Sequence, residues 1–156
     1  MAEVDDILSA ARAAGLRLVT PESCTGGLVA AALTDIPGSS DVFDRGFVTY
    51  SNAAKMQMLG VQAATLAEFG AVSPQTAVEM AEGALKNADA QLAVAITGIA
   101  GPGGSEFKPE GRVCFALARQ GRATRSETVE FGAQGRAAVR RAATRHALDL
   151  LASNLR

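Results

Sequence analysis

The run Leu92-Ala93-Val94-Ala95-Ile96 is apolar at every position. A strand with one wet face alternates apolar and polar residues, so this run reads as a strand buried on both faces of its sheet. Elements of both kinds surround it. Val4, Ile7, Leu8, Ala11 and Ala14 have helical spacing and stop at Gly15, a residue suited to closing a helix. Leu16 to Thr20 reads as a short strand, and Leu28 to Ile36 as a helix ended by Pro37-Gly38. Gly46 to Tyr50 is the next strand, running into a helical piece from Ala53 to Leu59 that closes at Gly60, and Thr65 to Phe69 adds a helical turn. Ser73-Pro74 opens the clearest helix, with Ser73 as N-cap and Ala77, Met80, Ala81, Ala84, Leu85 and Ala88 as its apolar stripe. Arg112 to Ala118 and Ala123 to Phe131 form a hairpin through Gln120-Gly121, the second strand polar enough for a sheet edge. A last helix carries Val139, Ala142, Ala143, His146, Ala147 and Leu150 on one face.

This order predicts a three-layer α/β/α sandwich with a mixed, partly parallel sheet, formed as one domain over residues 1–156. No repeat, low-complexity segment or linker divides the chain. The balance of 15 basic and 16 acidic residues gives a net charge of −1, which argues against nucleic acid as a partner. The absence of Trp and the single Tyr argue against a stacking platform for bases. The acidic start, Met1 to Asp6, lacks the basic and apolar regions of a signal peptide, and no apolar run is long enough to span a bilayer. Cys24 and Cys114 make no disulfide framework, so a reducing cytoplasm is the expected location, with no membrane partner. One histidine and two distant cysteines supply no metal-ligand spacing. The exposed edge strand and alanine-rich helices leave room for a homo-oligomer.

Ligands of open α/β sheets collect at the carboxyl ends of the strands. Three segments fall there: Glu22 to Gly27, Tyr50 to Lys55, and Thr97 to Gly104. The first places Ser23 where a strand turns into a helix, with Thr25, Gly26 and Gly27 bringing backbone N–H groups close to a developing negative charge. The same residues also fit a plain helix start with Ser23 or Thr25 as the N-cap. In the second segment, Lys55 can serve as a base for the serine once its pKa is lowered, and Tyr50 can relay a proton. The simpler alternative is a solvated lysine and a half-buried aromatic. Cys24 competes with Ser23 as nucleophile. His146 lies on the apolar stripe of the last helix and reads as a core or groove histidine. In the third segment, Gly98, Gly101, Gly103 and Gly104 suit a backbone nest for an anion, or equally a tight turn. Their spacing matches neither the Walker A sequence nor the dinucleotide fingerprint.

Taken together, Glu22-Ser23-Cys24-Thr25-Gly26-Gly27, Gly46-Phe47-Val48-Thr49-Tyr50-Ser51-Asn52, Gly70-Ala71-Val72-Ser73 and Thr97-Gly98-Ile99-Ala100-Gly101-Pro102 stand in the order of one family. The chain resembles the C-terminal domain of the CinA (competence- and damage-inducible) proteins over nearly its whole length. Pro21 stands where an alanine is usual, and the loop from Gly101 to Pro109 is slightly shorter than in relatives. The resemblance implies an α/β/α sandwich and a stand-alone nicotinamide-nucleotide amidase, which converts nicotinamide mononucleotide to nicotinic acid mononucleotide and ammonia. It further implies Ser23 as nucleophile with Lys55 and Tyr50 as partners, and no cofactor. The competing expectation is a non-catalytic nucleotide- or phosphate-binding module, which explains the glycines and leaves Ser23, Tyr50 and Lys55 unused.

Overall fold

The computed structural model describes residues 2–156; Met1, counted within the single domain expected from sequence, lies outside the described residues. Twelve elements follow in the order α1 (Val4–Ala14), β1 (Leu18–Glu22), α2 (Leu28–Thr34), a short 3-10 turn (Ser39–Asp41), β2 (Phe43–Val48), α3 (Asn52–Leu59), α4 (Ala63–Phe69), α5 (Pro74–Lys86), β3 (Leu92–Gly98), β4 (Arg112–Arg119), β5 (Arg125–Glu130) and α6 (Arg136–Asn154). The five strands form one sheet in the order β2-β1-β3-β4-β5. β1 runs parallel to both β2 and β3, whereas β3–β4 and β4–β5 are antiparallel. The sheet is therefore mixed, with helices on both faces, as the order of elements predicts.

The continuous apolar strands resolve into two different faces. Leu92, Val94 and Ile96 of β3, with Val113, Phe115 and Leu117 of β4, pack beneath α1, α2 and α6. The alternate residues are small: Ala93 and Ala95 of β3, then Cys114, Ala116 and Ala118 of β4. These lie against Met80, Ala77, Ala81 and Ala84 of α5, so small side chains on both sides let that helix settle close to the sheet. Gly83 continues this close approach, since a Cβ there would collide with the backbone carbonyl of Leu59 at the end of α3. Ser73 caps α5 by accepting the Thr76 N–H, and Pro74 occupies its first turn.

Several element boundaries differ from the sequence expectation, those of β1 and β2 nearest the strand ends. β1 starts at Leu18, because Leu16 closes α1: its N–H donates to Ala11 O while the Gly15 N–H donates to Arg12 O. Gly15 has φ +70°, and the apolar Leu16 is the residue that folds back after such a cap. β1 also extends to Glu22, carrying Pro21 inside a strand paired on both sides. The ladder to β3 joins Leu18, Val19 and Glu22 and passes over Thr20 and Pro21, which accommodates a residue with no N–H to give. β2 spans Phe43–Val48, so Tyr50 lies beyond the strand end.

Candidate active site

Ser23 is the first residue after β1, and its N–H donates to Ile96 O of the neighbouring β3 at 2.9 Å. Only 7% of the residue is exposed. Lys55 lies in the first turn of α3, whose N-cap Ser51 accepts the Ala54 N–H at 3.0 Å. Its side chain runs back under the β2–α3 connection. There Nζ sits 3.1 Å from Ser23 Oγ, 3.0 Å from Thr49 O and 3.3 Å from Tyr50 O. The residue is 1% exposed and is the largest side chain among the fully buried ones. Burial pushes its pKa below the ordinary lysine value, against the opposing influence of Cys24 and Glu106.

The segments at the strand ends converge. Ser23, Tyr50, Lys55, Ala71, the loop from Thr97 to Glu106, and Arg136 line one cavity of about 310 Å³. Tyr50 reaches it differently from Lys55: its ring is exposed, and its hydroxyl accepts from Arg136 Nη2 at 2.6 Å. Arg136 Nη1 donates to Gly101 O at 2.7 Å, so this guanidinium spans the two sides of the cavity. Among the described residues Arg136 forms no ion pair. No pattern around Arg136 marks it in the sequence, because α6 brings it across from the far end of the chain.

The turn after Ser23 is organised by Glu22, whose carboxylate is 1% exposed. Oε1 accepts from Thr25 Oγ1 at 2.6 Å, Val29 N at 3.1 Å and Gly27 N at 3.2 Å, and Oε2 accepts from Ala30 N at 2.9 Å. Glu22 thus satisfies the start of α2, where negative charge is favoured. The N-cap position belongs to Gly27 at φ +102°, and neither Ser23 nor Thr25 caps the helix through its side chain. Thr25 is fully buried, facing Glu22. Glu22 stands in the motif without a role visible from sequence; the only signal is an acidic residue just ahead of an uncapped helix.

The glycine-rich loop is likewise already engaged. The Gly103 N–H donates to Glu110 Oε1 at 2.6 Å. A Cβ on Gly98 would meet Val113 Cγ2 at 2.7 Å and Cys24 Sγ at 3.0 Å, one on Gly101 would meet Glu110, and one on Gly104 would strike the Lys108 carbonyl. Glu106 adds a further carboxylate to the cavity lining. Lys108 anchors the loop to its neighbour by donating to Phe69 O and Val72 O, both at 2.6 Å.

Cys24 and His146 stand in environments unlike that of the Ser23–Lys55 pair. The Cys24 thiol is 4% exposed, and burial pushes its pKa up to about 12, so it carries its proton at neutral pH. His146 does not line the cavity; it pairs with Glu127 and packs on Phe115 with ring centroids 4.5 Å apart. Among the described residues no group of three or more His, Cys, Asp or Glu is arranged to hold a metal, and no helix is long and apolar enough to cross a membrane.

A buried lysine against a serine, at the carboxyl ends of a mixed sheet, is an arrangement that acyl-transfer chemistry can use. Comparison with known proteins gives the family. The CinA C-terminal domain matches residues 2–155. The nicotinamide-nucleotide amidohydrolase PncC of Escherichia coli K12 is 55% identical over 151 residues, covering 94% of this chain and 89% of that protein. A CinA-like protein of Chlorobium phaeobacteroides is 52% identical over 124 residues, which are 78% of this chain and 30% of that longer protein. Among solved structures, a competence or damage-inducible protein from Enterobacter asburiae superposes with a TM-score of 0.94 at 38% identity, covering 98% of this chain and 96% of that one. The competence/damage inducible protein CihA of Agrobacterium tumefaciens gives 0.87 at 51% identity, over 95% and 94%. The chain belongs to the CinA C-terminal domain family.

Proposed function

We propose that this protein is a nicotinamide-nucleotide amidase, hydrolysing the carboxamide of nicotinamide mononucleotide to nicotinic acid mononucleotide and ammonia. The observation that carries this reading is the buried Lys55 Nζ at 3.1 Å from Ser23 Oγ. The name of the PncC relatives supplies the substrate.

A neutral amine has two N–H groups and one lone pair. Two carbonyls, Thr49 O and Tyr50 O, lie within reach of Nζ and take those two N–H groups. The lone pair is then left for the Ser23 hydroxyl, which donates to it. Ser23 Oγ attacks the amide carbon as its proton passes to Lys55, and backbone N–H groups of the turn after Ser23 hold the tetrahedral oxyanion. The same proton then leaves with ammonia, and water releases the acid from Ser23 with Lys55 again as base. Serine and lysine suffice for every proton and bond in this sequence, so the reaction uses no metal or organic cofactor.

Arg136 takes the 5′-phosphate. It is the cavity's guanidinium, held in place by Tyr50 and Gly101 with further donors free, whereas the glycine loop presents Glu106 and has its Gly103 N–H bound by Glu110. Tyr50 accordingly acts by orienting Arg136, and Gly98, Gly101, Gly103 and Gly104 form a wall that brings bare backbone against the ligand. The protein works as a single cytoplasmic domain on a small molecule. A non-catalytic phosphate-binding module requires Arg136 but gives no reason to bury an amine against a serine. Ammonia release from nicotinamide mononucleotide by the purified protein, with chelator present, separates the two readings.

A further inference from the structure

Accounting for the backbone N–H groups from Ser23 to Ala30 leaves two over. Ser23 donates to Ile96 O, Gly26 to Ser23 O, and Leu28 to Thr25 O. Gly27, Val29 and Ala30 donate to the Glu22 carboxylate. Among the described residues only the N–H groups of Cys24 and Thr25 donate to no other residue in this stretch. Unpaired N–H groups beside a buried serine are costly to maintain unless something visits them.

The direction of the Thr25 N–H is set from behind. Arg140 lies one helical turn beyond Arg136 on α6, with Nε donating to Cys24 O at 3.1 Å and Nη2 donating to Thr25 O at 3.3 Å. The Cys24–Thr25 peptide is trans, so its N–H points opposite to the carbonyl that Arg140 holds. The Ser23 carbonyl is taken inside the turn by Gly26, which turns the Cys24 N–H outward by the same geometry. A cation on a peptide carbonyl also polarises that peptide and makes its N–H a stronger donor. Gly26 keeps this contact open, since a Cβ there would lie 3.1 Å from Arg140 Nη2.

We propose that the Cys24 and Thr25 N–H groups form the oxyanion site and that Arg140 is the positioning residue that aims and polarises the Thr25 N–H. The proposal rests on the serine mechanism above. It separates the two arginines of α6: Arg136 serves the substrate anion, and Arg140 serves the transition state without touching substrate.

The test compares wild type, Arg140→Ala, Arg140→Lys and Ser23→Ala in kcat, KM and inhibition by benzeneboronic acid. That inhibitor takes the Ser23 oxygen onto boron as the serine proton passes to Lys55, placing a boron hydroxyl where the oxyanion forms. Losing the aim of an oxyanion donor should lower kcat of Arg140→Ala by at least about 30-fold and weaken boronate inhibition in parallel, with KM within about 3-fold. Methylguanidinium added to Arg140→Ala should restore kcat by about 5-fold or more, which a general loss of folding does not allow. Should Arg140→Ala fail to fold, Arg140→Lys, which keeps the charge and one donor, should still lose about 5-fold or more in both kcat and boronate affinity. A folded Arg140→Ala enzyme with kcat within about 3-fold of wild type, a loss confined to KM, or unchanged kcat and boronate affinity in Arg140→Lys would overturn the assignment. Full activity in Ser23→Ala would instead overturn the serine mechanism on which it rests.

Discussion

Arg136 and Tyr50, 86 residues apart in the chain, meet at 2.6 Å, guanidinium Nη2 to phenol oxygen, in the lining of the cavity. That bond fixes a cation where a nucleotide phosphate can meet it, and the phenol makes no hydrogen bond to Ser23 or Lys55. Arg136→Ala should therefore lower kcat/KM for nicotinamide mononucleotide by about 10-fold or more, roughly 1.4 kcal/mol, mostly through KM. The dephosphorylated nucleoside has no phosphate to lose, so the same substitution should leave its kcat/KM nearly unchanged. Comparing both substrates with both proteins in one buffer checks this; an equal loss on the two would remove the phosphate from Arg136.

Lys55 has its pKa lowered chiefly by burial. A depressed lysine pKa puts the neutral base in the folded enzyme at pH values where an ordinary lysine is still charged. As pH falls through that lowered value, Lys55 gains a proton and stops accepting one from Ser23, so kcat should rise with pH through this titration and level off above it. Lys55→Arg should be inactive across the range, because a guanidinium stays charged. A pH–rate profile of wild type beside the arginine variant reads both.

Much of this site is legible in the sequence, and the remainder is hidden for identifiable reasons. Ser23, Lys55 and the glycine loop belong to short local patterns at strand ends, and the sheet then brings them together. Arg136 and Arg140 escape such reading because their partners lie 86 residues away for Tyr50 and 116 for Cys24. Glu22 escapes for the opposite reason: its partners are local, but a strand carboxylate capping the next helix leaves no standard spacing. Leu16 misleads at the strand boundary because an apolar residue after a helix-closing glycine fits either a strand or a cap. The three-layer architecture survives these shifts because the two-sided burial of β3 and the alternation of elements are independent of any single boundary.

Glu22→Gln keeps the size of the side chain but replaces a carboxylate oxygen by an N–H donor facing donors. With three backbone N–H groups and the Thr25 hydroxyl directed at that carboxylate, the substitution should destabilise the protein by about 1–3 kcal/mol. Denaturant unfolding should show a lower midpoint with an unchanged slope.

Cys24→Ala should retain most of the activity, since a thiol whose pKa is pushed up to about 12 does not act as a thiolate near neutrality. Wild-type protein should also react slowly with iodoacetamide at this position in the folded state. A folded Cys24→Ala protein without activity would transfer the nucleophile from Ser23 to its neighbour.

The most direct measurement is the ammonia released from nicotinamide mononucleotide by wild type and by Ser23→Ala, in the presence of chelator, with both proteins shown to be folded. The serine–lysine mechanism predicts steady ammonia and nicotinic acid mononucleotide from the wild type, and a loss of about 1000-fold or more in the variant. Comparable ammonia release from Ser23→Ala, or none from folded wild type, would contradict it.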